Sequence, residues 1–314
     1  MSIGLIINER SDRSASVVDD LLHVARKFSS VRPAILNGID GLDKTLSEMG
    51  RKGVETLIIG GGDGTLQAAF TDSINNARFE RQPDYVALPC GMTNVIANDC
   101  GLRGAPVAGL DNFLWRRQRG DVQPVTRHLM AVKNGAQKPI YGFFFGCAGF
   151  HSAVKYSREK IQRFGAKRSL QLMASVAGYV SKVAFDTNNT VESVDLSITQ
   201  SDAPEQQGTH RQLLAMATTL HSIGSGIYPF WGEGDGPMAV TTVRHPRSRL
   251  LRATPSILRG KSRPWFRAHG YESWRERQLS LEFDGPFVFD GEIFEAQRSA
   301  PLVIDTSRQA QFLY

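Results

Sequence analysis

Residues 57–70 read LIIGGGDGTLQAAF, and this stretch decides how the chain begins to fold. Leu57, Ile58 and Ile59 are an apolar run that suits a buried strand. Three glycines end it, and after Asp63, Gly64 and Thr65 the residues suit a helix. A strand that turns through glycines into a helix offers free backbone N–H groups and a positive dipole end to an anion. Gly61, Gly62 and Gly64 put no Cβ between the backbone and a phosphate. An acidic side chain in such a loop does not fit simple anion binding. Asp63 fits if it meets phosphates through a metal ion, or takes a proton from an acceptor. The loop points to nucleotide phosphates and phosphoryl transfer. The plain alternative is a glycine-rich turn of any α/β protein.

Residues 84–102, DYVALPCGMTNVIANDCGL, repeat the arrangement. Tyr85 to Leu88 is a short strand, Pro89, Gly91, Thr93 and Asn94 form a loop, and Val95 to Asp99 reads as a short helix. Two such loops line one crevice at the carboxyl ends of a parallel sheet. Thr93 and Asn94 either donate to phosphate or ribose, or cap the helix at Val95.

Outward from these loops, strand and helix patterns alternate. Ile3–Asn8, Arg32–Leu36 and Val54–Ile59 read as strands, Ser14–Phe28 and Leu42–Met49 as helices, and a further helix runs from the first loop to Ile74. This alternation predicts a doubly wound parallel sheet. Near Gly120 the character changes. Arg127–Val132, Ile140–Gly146, Val191–Thr199 and Leu213–Thr219 read as strands of a second, β-rich domain, with one long helix over about 152–185. The segment LSLEFDGPFVFDGEIFEA reads as two short strands around turns. A chain of 314 residues is long enough for two cores. Cys90, Cys100 and Cys147 form neither a paired framework nor a CxxC pattern, which fits a reducing cytoplasm. MSIGLIINER is too short for a signal peptide, and the apolar stretch between Arg168 and Lys182 is too short to span a bilayer.

GGGDGT at 60–65, PCGMTNVIA at 89–97, GCAGF at 146–150, GEGDGPMAV at 232–240 and FDGE at 289–292 together resemble the diacylglycerol kinase catalytic-domain superfamily, which includes bacterial lipid kinases, sphingosine kinases and ceramide kinases. The resemblance implies an ATP-binding α/β domain over 1–126, with 301–314 returning to it, and a lipid-binding β-sandwich domain over 127–300. It implies ATP and Mg2+ in the cleft and a lipid hydroxyl as acceptor. Asp63 and Glu292 become the candidate catalytic carboxylates: one is the general base, the other organises metal and nucleotide, with Asp63 the candidate metal ligand. Asn8 and Ser11 match the family's first-strand loop, although Glu9 and Asp12 replace its proline and glycine; Ser11 to Ser14 otherwise cap the first helix. Gly91, Thr93, Asn94 and Gly291 complete the nucleotide set. IQRFGAKR, 161–168, resembles a stretch that sets basic residues on ATP phosphates, with Arg168 and Arg163 in that role. Alone, Asp290–Gly291 would read as a hairpin turn.

The chain also departs from the family pattern. Val95 and His151 stand where many relatives carry aspartate, and Ala153 and Lys155 where sphingosine kinases carry head-group carboxylates. An uncharged acceptor such as ceramide suits Lys155 better than a sphingoid ammonium, so ceramide is slightly favoured over a sphingoid base and over diacylglycerol. An NAD kinase, which shares GGDGT, and a catalytically silent nucleotide- or lipid-binding regulator are the alternatives. Net charge is +6, and Arg244–Arg277 holds ten Lys or Arg, two acidic residues, Trp265, Phe266 and Trp274. Basic charge among aromatics suits an anionic bilayer surface and peripheral attachment. It resembles a nucleic-acid surface in composition, but no recognition motif accompanies it, so no nucleic-acid partner is expected. The plain alternative is a set of solvated hairpin loops.

Overall fold

The computed structural model describes residues 2–11, 14–150, 193–200, 208–223, 227–246 and 249–314. The expected long helix over 152–185, the expected phosphate ligands Arg163 and Arg168, and the departures at His151, Ala153 and Lys155 lie outside the described residues.

The first half alternates as its sequence implies. Strands β1 (Ile3–Asn8), β2 (Val31–Leu36), β3 (Thr56–Gly61) and β4 (Asp84–Pro89) interleave with helices α1 (Val18–Arg26), α2 (Leu42–Arg51), α3 (Asp63–Asn75), α4 (Val95–Cys100) and α5 (Pro106–Gln118). The strands lie parallel in the order β2-β1-β3-β4. β1 and β3 are buried at every position, as strands covered on both faces must be. Ile3, Leu5 and Ile7 pack with Leu21 and Val24 of α1 and Leu110 and Phe113 of α5. Ile6 faces the other side, with Leu46 of α2, Phe70 of α3 and Ile96 of α4. Helices therefore cover both faces. α1 is shorter than expected, starting at Val18. α5 starts with Pro106 at its first turn, where a missing N–H costs nothing.

The rest of the chain supplies β5 (Pro124–His128), β6 (Met130–Asn134), β7 (Ile140–Gly142), β8 (Phe144–Ala148), β9 (Val194–Gln200), β10 (Gly208–Thr218), β11 (Met238–Arg244), α6 (Leu250–Leu258), β12 (Tyr271–Glu276), β13 (Gln278–Glu282), β14 (Gly285–Phe289), β15 (Glu292–Ala296), β16 (Leu302–Asp305) and β17 (Gln309–Leu313). The strand expected over 127–132 is thus two strands, because the chain changes sheets at Leu129. β5 stays in the first sheet, paired with β17, which lies between β5 and β4. β6 enters the second sheet and pairs with β16. The chain passes between the sheets at 128/129 and at 305/306, and β16 belongs to the second sheet. The two crossings lie side by side. Leu129 N donates to Arg308 O (2.8 Å), and His128 Nδ1 donates to Thr306 O (2.8 Å).

The second sheet is antiparallel, in the order β15-β14-β8-β10-β9-β13-β16-β6-β7, with β11 and β12 branching from β10. β7 lies at one end and β8 near the other, yet only Phe143 separates them in sequence. The sheet must therefore roll round on itself. It encloses one core in which Val132 of β6 meets Phe145 of β8 and Phe287 of β14. The sandwich implied by the resemblance is thus one continuous sheet. Three strands, β13 to β15, replace the two expected in LSLEFDGPFVFDGEIFEA. Among the described residues, no helix is long and apolar enough to cross a membrane.

Candidate active site

Loops after β1, β3 and β4 meet at the carboxyl ends of the parallel strands. Asn8 ends β1, and its Nδ2 donates to Thr65 Oγ1 (2.9 Å). Its Oδ1 accepts from Arg10 N (3.1 Å) and Gly38 N (3.0 Å). Ser11 Oγ accepts from Gly62 N (3.2 Å), so Ser11 ties the first loop to the glycine loop and does not cap α1. The glycines have individual reasons. A Cβ on Gly61 would lie 2.6 Å from Thr65 Cβ. A Cβ on Gly91 would overlap Gly62 Cα, so these two loops pack backbone on backbone.

The carboxylate of Asp63 accepts three hydrogen bonds from the second loop. Its Oδ2 accepts from Thr93 Oγ1 (2.8 Å) and Val95 N (3.0 Å), and its Oδ1 from Ile96 N (3.0 Å). Asp63 therefore caps α4 from another loop. Thr93 serves Asp63. Asn94 sits at the N-cap position in left-handed backbone (φ +52°) without capping. Its side chain closes the second loop instead, accepting from Gly91 N (2.7 Å) and donating to Gly91 O (2.8 Å). Burial pushes the Asp63 carboxyl up, and the hydrogen bonds from Ile96, Val95 and Thr93 oppose that.

The third component comes from the rolled sheet. Asp290 (φ +46°) and Gly291 (φ +90°) form the two-residue turn between β14 and β15. Asp-Gly with both φ positive is the preferred hairpin turn, so the plain reading of this dipeptide holds at the level of the backbone. Its neighbours do more. Asp290 is buried, and its two oxygens accept from Phe143 N (2.9 Å) and Phe144 N (2.8 Å). It holds the link between β7 and β8. Burial, and then the charge of Asp63, push its carboxyl well up, against those two donors. Gly142 must be glycine, because a Cβ there would overlap Asp290 Oδ2. Glu292 is the exposed partner: a Cβ on Gly64 would lie 2.7 Å from Glu292 Oε1. The sequence motifs GGGDGT and DGE are thus in contact. α3 fixes this meeting. Gln67 Nε2 donates to Phe289 O (3.2 Å), Thr71 Oγ1 accepts from Tyr141 N (3.0 Å), and Asn75 Nδ2 donates to Pro139 O (2.8 Å).

Residues 2–124 match the diacylglycerol kinase catalytic domain. The match covers the N-terminal part of the chain and shows its similarity to that domain. Three solved structures from Bacillus anthracis str. Sterne, all assigned as diacylglycerol kinases, share the fold. Two have TM-scores of 0.67 and 0.64 at 15% identity, covering 100% of this chain and 96% of the other. The third has a TM-score of 0.67 at 16% identity, covering 100% and 97%. No curated protein matches the sequence.

The loop geometry suits a phosphate-bearing anion. The first amides of α3, at Asp63 and Gly64, are ones a helix leaves without intrahelical partners, and they open beside Glu292. The donor set for Mg2+ fits less well. Both Asp63 oxygens are taken by the second loop, and among the described residues no group of three His, Cys, Asp or Glu side chains could hold a metal. The residues that sequence reasoning missed are Asp290, Gly142 and Gln67. Asp290 was visible in the DGE motif as a turn residue; the other two carry no local signal.

Proposed function

We propose that the chain is an ATP-dependent lipid kinase that transfers the γ-phosphate to the primary hydroxyl of a long-chain lipid. The observation that carries this is the exposed Glu292 carboxylate against Gly64 at the α3 N-terminus. A hydroxyl attacking a phosphate there has an acceptor for its proton within reach. Glu292 is the general base on this reading, because Asp63 is committed to α4. Asp63 and Thr93 position the second loop, and Asn8 and Ser11 position the first. Gly62, Gly64, Gly91 and Gly291 let the loops close on one another. Mg2+ would arrive with ATP and lower the charge repulsion at its phosphates. Arg168 remains a proposed phosphate ligand on the resemblance alone.

Diacylglycerol is the acceptor that the matched domain and the three similar structures name, and it is the one proposed. Ceramide is the second reading, favoured by the resemblance of IQRFGAKR at 161–168 and by Val95. A cytoplasmic chain that attaches peripherally to membranes suits a lipid acceptor, and the three cysteines are free and buried. The test is turnover of ATP with diacylglycerol, ceramide, sphingosine and NAD, the lipids in matched mixed micelles. Phosphorylation of diacylglycerol is expected. Preference for ceramide would change the acceptor, and phosphorylation of NAD alone would overturn the lipid-kinase reading.

A further inference from the structure

Residues 236–271 contain eight Lys or Arg and no Asp or Glu. In the fold this stretch is not a set of hairpin loops, and its aromatics do not form an outward surface. Leu250, Ala253 and Ile257 of α6 are buried with Leu213, Val243, Phe266 and Tyr271 in a small core of their own. Phe266 is 2% exposed, which removes it from any bilayer contact. The Trp265 ring lies 4.9 Å from that of Phe266 and 6.0 Å from that of Tyr271. Arg249 and Arg252 each set a guanidinium 5.8 Å from the Trp265 centroid. The aromatics thus anchor the element and hold two arginines against a ring.

What remains outside is positive charge beside one apolar side chain. Arg252, Arg259, Lys261, Arg263 and Arg267 are exposed, and Leu251 is 46% exposed. Among the described residues, none of these five basic side chains lies within ion-pair distance of a carboxylate. Self-repulsion of such a cluster is relieved by an anionic surface, and an exposed leucine adds apolar contact at the headgroup boundary.

We infer that residues 249–267 are the surface by which the chain docks on an anionic bilayer. The inference deepens the lipid-kinase reading, since an acceptor lipid lies in that bilayer. The charge argument stands apart from that reading. Its place in the fold supports it. Tyr228 N donates to Leu258 O at the end of α6, and Tyr228 Oη donates to Leu220 O. Leu220 N donates to Thr218 Oγ1, Thr218 Oγ1 donates to Phe143 O, and Phe143 N donates to Asp290. Five hydrogen bonds thus link the end of α6 to the turn that carries Glu292.

The test is co-sedimentation of the full chain with phosphatidylcholine vesicles, with and without phosphatidylglycerol, across a salt series. Binding is expected only to the anionic vesicles and should weaken as salt rises. The Arg259→Glu/Arg267→Glu variant is expected to bind at least about twentyfold more weakly, since each basic residue at such a surface contributes about fivefold. The control, Arg26→Glu/Arg51→Glu on α1 and α2, should bind as wild type. Circular dichroism checks that both are folded, and Lys261→Glu alone gives a milder second variant. Turnover of dispersed short-chain diacylglycerol should be unchanged in all variants. Equal binding to both vesicle types, equal loss in the control, or tighter binding to duplex DNA than to anionic vesicles would overturn the docking surface. Vesicle binding without phosphorylation of any lipid would instead overturn the kinase reading and leave the surface in place.

Discussion

Asp63 and Glu292 are carboxylates from the two most informative motifs, and their surroundings differ completely. Asp63 accepts three hydrogen bonds and is buried; Glu292 is exposed. Glu292→Gln keeps shape and removes the proposed base. Turnover is expected to fall by roughly a hundredfold or more, with ATP affinity within a few-fold. A collapse of ATP affinity would make Glu292 a nucleotide organiser. Asp63→Asn should act differently. An amide cannot accept from all three donors, and a buried donor left unpaired costs roughly 1–3 kcal/mol. Thermal unfolding should therefore move down together with turnover, whereas Glu292→Gln leaves stability unchanged. Gly64→Ala separates the two effects again. Alanine in a helix is favoured over glycine by roughly 0.5–1 kcal/mol, so the melting temperature should hold or rise. The new methyl group meets Glu292 Oε1 and turns it away, so turnover should drop. The carboxylate in GGGDGT was legible from sequence, but its hydrogen-bond partners were not. Two of its three donors are backbone amides, at Val95 and Ile96, and side-chain identity cannot reveal those.

At the scale of elements, α3 runs from the glycine loop along the boundary between the sheets. It is braced on its other side by Asp72, which accepts from Arg78 Nε (2.7 Å) and Nη2 (3.0 Å), while Arg78 Nη1 donates to Ser47 Oγ of α2 (2.7 Å). Burial pushes the Asp72 carboxyl up, but the hydrogen bonds from Arg78 and Asn76 outweigh it and leave the group below its ordinary value. A carboxyl depressed in the folded state stabilises above its unfolded pKa, and that contribution is lost as pH falls through the folded one. Asp72→Asn should therefore cost roughly 1–2 kcal/mol near neutrality, and its unfolding curve should converge with wild type in acid below about pH 4. A constant difference at all pH values would argue against the ion pair. Asp63 and Asp290 have the opposite sign. Their carboxyls are pushed up by burial, so they weaken the fold as pH rises through their folded values. The alternating elements of the first half were legible because β1 and β3 are apolar throughout and α2 buries Leu42, Leu46 and Met49 on one face. The break at Leu129 was not, because that apolar run continues across two sheets without a change of period. The break at Phe143 was hidden in the same way.

At the scale of the molecule, one aromatic cluster joins the two sheets. Phe312 of β17 has its ring 6.0 Å from Phe70 of α3, 6.1 Å from Tyr85 of β4 and 5.8 Å from Phe143, the residue around which the second sheet rolls. It is fully buried. Phe312→Ala should cost roughly 3–5 kcal/mol, read as a lower melting temperature in a chain whose two sheets still unfold together. If the second sheet then melts separately at its wild-type temperature, the cluster is not what couples them.

The place of β17 between β4 and β5 has a consequence for the chain while it is being made. β4 ends at Pro89, and its neighbour in the sheet begins at Gln309. The intervening 219 residues take roughly 10–40 s to translate at ordinary elongation rates. Through that interval the nascent first domain has an apolar, unpaired β4 edge, and β5 has no strand to join. The rolled sheet waits as well, since β6 and β7 join it only through β16, so both sheets are completed only once the chain beyond Leu302 has emerged. An emerging chain of this design is a natural client for factors that shield strand edges. Slowing elongation should lower its soluble yield, whereas in most two-domain chains slower elongation gives the first domain time to finish.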